Sequence, residues 1–118
     1  MIQVDPHPLL AAKVFVSQFP KSLGELATPQ RILNYYALSV DAPLARDDAT
    51  KKAVRDCLRY GGYKPTGRGK PASEYLIKAV EKAWLSPERG INLAVDICNV
   101  VSLHSGLPIS VVDGALAK

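Results

Sequence analysis

The apolar positions of this chain change period along its length. Residues 9–19, LLAAKVFVSQF, end in a β-prone run in which Val14 and Val16 alternate with Phe15. That alternation predicts a strand from about Val14 to Phe19, broken by the Pro20–Gly24 stretch. Thr28 and Pro29 then read as the N-cap and first residue of a helix carrying Ile32, Leu33, Tyr35, Tyr36 and Leu38. Strand is the alternative there, because isoleucine and tyrosine suit both. Residues 39–46 read as a loop. Asp47 or Asp48 can cap the next helix, whose stripe is Ala49, Ala53, Val54, Cys57 and Leu58 and whose end is Gly61-Gly62. Pro71 opens another, with Tyr75, Leu76, Ala79, Val80, Ala83 and Trp84 as its expected buried face and a turn at Ser86–Gly90.

Periodicity gives way to near-uniform hydrophobicity in the last helix, capped by Asn92 and stopped near His104 by Gly106 and Pro108. A helix apolar on almost every side is expected to be buried, which makes its polar residues informative. Asn92, Asp96 and Asn99 are spaced by four and three, so they share one face. Buried polar groups need partners, since each unpaired one costs about 1–3 kcal/mol. Either they satisfy neighbouring backbone groups, or they rim a pocket whose ligand supplies the bonds. A short β-prone run, Ile109–Val112, follows Pro108 and predicts a strand that brings Ser110 and Asp113 near Asn99. No histidine is spaced to serve as base for Ser110, and His104 fits better as a helix C-terminal cation.

Composition narrows the class. The chain of 118 residues is long enough for one domain with its own core, and 47% hydrophobic with 22% charged residues is ordinary for a folded protein. No apolar run is long enough to span a bilayer, and the first residues lack a secretory pattern. Cys57 and Cys98 read as reduced thiols in a cytoplasmic protein, and two cysteines with two scattered histidines do not make a zinc site. No metal or cofactor is called for.

Charge adds one further feature. The net charge is +4. Lys51, Lys52, Arg55, Arg59, Lys64, Arg68, Lys70, Lys78 and Lys82 cluster between 51 and 82, opposed only by Asp56, Glu74 and Glu81. Such a cluster can meet a phosphate backbone, with Lys64, Arg68 and Lys70 as the candidate RNA-binding residues, or it can be the solvated face of two helices. The loop GGYKPTGRGK spaces Gly62 and Gly67 like a phosphate loop, but Arg68 and Gly69 stand where Lys and Ser or Thr are required.

Two blocks carry a family resemblance. Asn92-Leu93-Ala94-Val95-Asp96-Ile97-Cys98-Asn99-Val100-Val101 and Gly106-Leu107-Pro108-Ile109-Ser110-Val111-Val112-Asp113 stand at ungapped spacing. Together they resemble the signature of the B3/B4 tRNA-editing domain of the phenylalanyl-tRNA synthetase beta subunit, and the likeness extends over about residues 47–113. The resemblance implies an α+β fold, with several helices on a small mixed sheet, in a single domain over residues 1–118. It implies a pocket for the aminoacyl end of a tRNA, with Asn99, Cys98, Asp96 and Ser110 as substrate-binding candidates. It also implies hydrolysis of a mischarged ester. Cys98 replaces the family's threonine. Ser110 replaces its histidine, leaving Ser110 as the one candidate for a catalytic role. The family's domain runs on past this point, so the chain resembles an incomplete copy. An unpaired Ile109–Val112 edge would then ask for a second copy or a complementary fragment. The alternatives are a non-catalytic RNA- or amino-acid-binding module and a structural module of a larger synthetase-like assembly. No synthetase catalytic core is present, so ligation is not expected.

Overall fold

The computed structural model describes residues 3–116. Its regular elements are α1 (Gln30–Leu33), α2 (Asp48–Tyr60), α3 (Ala72–Glu81) and α4 (Leu93–Ser105), with single 3-10 turns at Leu23–Glu25 and Gly67–Gly69. No sheet forms among the described residues, so the α+β expectation is corrected to an all-helical arrangement. Val14–Phe19 forms no strand, with Phe15 85% and Val16 78% exposed. Ile109–Val112 is likewise without a strand partner. Alternation gives a run the right side chains for a sheet, but a strand also needs a neighbour for its N–H and C=O groups. Among the described residues, only the turn at Ser86 and Arg89 makes a bridge, through two backbone bonds of 3.1 and 2.9 Å.

The helix boundaries follow local chemistry. Asp47 accepts the Thr50 N–H at 2.7 Å and Asn92 accepts the Val95 N–H at 3.0 Å, so both α2 and α4 begin on side-chain caps. α2 ends in a Schellman turn, with Gly62 N–H on Arg59 O at 2.9 Å and Tyr63 N–H on Leu58 O at 3.0 Å. α3 ends the same way, with Ala83 N–H on Val80 O and Trp84 N–H on Ala79 O. There the left-handed position is filled by Ala83, at φ 57°, rather than by glycine. The expected helix across 29–38 shrinks to one turn, and Pro29 rather than Thr28 is its N-cap. Residues 34–40 continue in turns, and the strand alternative is not realised either.

The core is small. Tyr36, Val100 and Leu103 are buried, and Ile32, Leu33, Tyr35, Leu38, Leu76, Ile77, Val80 and Leu85 pack around them. α4 therefore lies against α3 and α1. Its C-terminal turn is fastened by side chains. Ser102 Oγ donates to Leu107 O at 2.7 Å, Ser73 Oγ donates to Gly106 O at 3.2 Å, and Arg46 reaches Leu103 O at 3.3 Å. The uniform hydrophobicity of α4 overstates its burial, because Ile97 and Val101 remain more than a third exposed. The face expected of α3 is corrected too: Leu76 and Val80 face inward with Ile77, whereas Tyr75 and Trp84 face out. α2 buries none of its residues fully and is tied to α3 by an Arg55–Glu74 pair.

Candidate nucleic-acid interface

The polar face of α4 resolves into a closed network. Asp96 is fully buried, and its carboxylate accepts from Tyr36 Oη at 2.7 Å, Thr28 Oγ1 at 2.5 Å and the Ile91 N–H at 2.9 Å. Asn99 Nδ2 donates to the same Tyr36 oxygen at 3.2 Å. Burial, with the Asp96 carboxylate next in effect, pushes the Tyr36 phenol well above the usual tyrosine range, so it stays a donor. The chain must pass very close to this carboxylate. A Cβ on Gly90 would lie 2.6 Å from Asp96 Oδ2 and from Leu33 Cδ2. These bonds join the segment before α1 and the turn before α4 to the core.

The other candidate pocket residues are placed apart from that network. Cys98 is a half-buried free thiol whose pKa is raised by burial, which lowers its thiolate fraction. Ser110 lies in the exposed, unpaired segment after α4. Asp113 caps its own turn by accepting the Ala115 N–H at 2.9 Å, and no hydrogen bond links Ser110 or Asp113 to Asn99 among the described residues. His104 is buried and pairs through Nε2 with Tyr35 O at 2.7 Å, so it braces the turn after α1.

Cationic side chains converge elsewhere. An open groove of about 760 Å³ runs between the first turns of α2, the Gly67–Gly69 turn and the outer face of α3. Five cations line it: Lys51, Arg68, Lys70, Lys78 and Lys82. Tyr75, Lys78 and Lys82 fall at i, i+3 and i+7 of the α3 register and so share one face. Tyr75 Oη donates to Gly67 O at 2.8 Å, which fastens the loop carrying Arg68 to that face. The loop doubles back tightly, since a Cβ on Gly69 would collide with the Lys64 carbonyl oxygen. Lys64 itself is exposed on the loop and is not among the lining residues.

Two carboxylates oppose these cations, Glu74 and Glu81. Glu74 is already committed. Arg55 Nε and Nη2 hold it bidentately at 2.9 and 2.6 Å, and the bonded guanidinium keeps its carboxyl below the usual range. The groove therefore keeps a clear positive excess. Of the residues expected to meet RNA, Arg68 and Lys70 line it and Lys64 does not. Lys51, Lys78 and Lys82 belong to the same charge cluster, but only the meeting of α2, α3 and the loop shows that they converge.

No protein-family model, no curated protein and no solved structure matches this chain.

Proposed function

We propose that this protein binds RNA through the groove between α2 and α3, and that its RNA is aminoacyl-tRNA. The observation that carries the reading is the convergence of five cations on one groove that holds two carboxylates, Glu74 and Glu81, the first of them already paired with Arg55. A phosphate backbone satisfies such a row by exchanging its condensed counterions for fixed ammonium and guanidinium groups. The ungapped signature resemblance at 92–113 supports tRNA as the class. Titrating labelled tRNA into wild-type protein and into a Lys78→Ala/Lys82→Ala variant tests the groove. The variant is expected to bind more weakly, with its far-ultraviolet circular dichroism unchanged. Equal affinity in both proteins would refute it.

Deacylation is the second reading. It is favoured by Asn99, half-buried beside Tyr36 at the position of the family's pocket asparagine. Water would attack the ester carbonyl, releasing a free amino acid and the tRNA hydroxyl. Incubation with tyrosine-charged phenylalanine tRNA decides it, and release at the spontaneous rate removes the catalytic claim. The binding reading stands independently, because it rests on the groove cations and uses neither Asp96 nor Ser110.

A second copy or a complementary fragment remains part of this reading, now without an edge strand to recruit it. The exposed Phe15, Val16 and Val112 offer apolar surface for such a partner, and sedimentation at micromolar concentration tests it. No helix among the described residues is long and apolar enough to cross a membrane. A cytoplasmic setting suits the two free cysteines.

A further inference from the structure

Trp84 is the only tryptophan of the chain and stands 59% exposed. Its backbone is fixed by the α3 terminal turn, where its N–H bonds Ala79 O at 2.9 Å, so the ring projects from an ordered position. The next residue, Leu85, packs on the core, which sets the ring outside it. Lys78 links this ring to the cationic groove. It lines the groove, and its Nζ sits 6.0 Å from the centre of the Trp84 ring. At the other end, Tyr75 lines the groove at 42% exposure with its hydroxyl already bonded. The groove is thus a row of cations with an aromatic wall and an aromatic ring next to it.

Duplex RNA has its bases stacked internally and offers a protein mainly phosphates and 2′-hydroxyls. Unpaired strands also offer base faces, which bind aromatic rings placed beside phosphate-binding cations. We infer that the α3 face takes a single-stranded RNA segment, with its phosphates on Lys78 and Lys82 and a base stacked on Trp84. This inference rests on the RNA-binding reading of the same groove and adds the kind of strand it selects. The cation–π contact of Lys78 with Trp84 is the resting state of the platform. When a strand binds, Lys78 turns to phosphate and a base takes up the ring face.

The single tryptophan makes the test direct. Full-length protein is titrated with a 12-nucleotide single-stranded RNA and, separately, with the duplex of the same strand, following Trp84 fluorescence and the anisotropy of labelled RNA. The single strand is expected to quench Trp84. Trp84→Ala should weaken single-strand binding by roughly 5- to 150-fold, the range for loss of one base–aromatic stack, and leave duplex binding within about twofold. Trp84→Tyr, which keeps a stacking face, should restore most of the loss. Single-strand binding with unchanged fluorescence and no effect of Trp84→Ala overturns the inference and leaves the cationic groove standing. Preference for the duplex overturns it equally. If neither RNA binds even at low salt, the RNA-binding reading itself falls. Should Trp84→Ala change only self-association in sedimentation, the ring is a protein contact and the stacking role is refuted.

Discussion

Replacing Tyr36 with phenylalanine removes one oxygen from the buried network and little else. The ring is 2% exposed and packs among Val100 and Leu103, so its apolar contacts survive the change. What is lost is the 2.7 Å bond to Asp96 and the acceptor for Asn99 Nδ2. Asp96 is fully buried, so water does not easily replace the missing donor, whereas half-buried Asn99 can turn to solvent. A hydrogen bond to a carboxylate contributes about 1.5–3 kcal/mol net, and the Asn99 end adds little. Tyr36→Phe is therefore expected to lower unfolding stability by about 2 kcal/mol, with a fall in Tm of roughly 5–12 °C. Urea denaturation followed by circular dichroism measures it, with Tyr60→Phe, an exposed site, as the control. The same substitution made on an Asp96→Asn background should cost less, giving a coupling energy of about 1 kcal/mol or more. A Tyr36→Phe protein within about 0.5 kcal/mol of wild type would refute the network's role, since that is the scatter of neutral surface changes. It would also reopen Asp96 as a ligand-binding residue.

Three further outcomes follow from local geometry. Ala83→Gly should raise stability by about 0.5–1 kcal/mol in thermal unfolding, because glycine accepts φ 57° without the side-chain clash that alanine meets there. Gly90→Ala should destabilise by more than 2 kcal/mol, an amount typical of overpacking beside a buried polar group, because its methyl would displace both Asp96 and Leu33. The depressed carboxyl of Glu74 gives the third: its folded-state pKa lies below the unfolded value near 4.3, so its contribution is present above that pH and lost as pH falls through the folded pKa. Glu74→Gln should flatten the acid limb of the stability–pH curve, and a limb of unchanged steepness would contradict the pairing with Arg55.

The helices were legible wherever a cap and a stop bracketed an apolar stripe. Asp47 with Gly61-Gly62 and Asn92 with Gly106 define α2 and α4 almost to the residue. Val14–Phe19 and Ile109–Val112 have β-prone side chains but no strand partner among the described residues, and pairing is a property of two segments that neither run can show alone. Trp84 departs from its expected buried place for a different reason. Its spacing puts it on the stripe of Leu76 and Val80, but α3 ends at Glu81, and the left-handed Ala83 swings it outward. Asp96 stands out in the sequence as a polar group on an apolar helix that needs partners. Its partners Tyr36 and Thr28, 60 and 68 residues away, had no local signal. The charge cluster was legible as a composition, while the groove required α2, the loop and α3 to be placed together.

The most direct test of the account is the salt dependence of tRNA binding. Five groove cations, each neutralising one phosphate, give a log–log slope of about −3.5 to −4.5. Raising salt from about 50 to about 200 mM should then weaken binding by roughly 100- to 500-fold. The Lys78→Ala/Lys82→Ala variant should lose about 1.5 from the slope. A dissociation constant that does not move with salt, or the same slope in wild type and variant, would contradict an RNA interface on the α3 face.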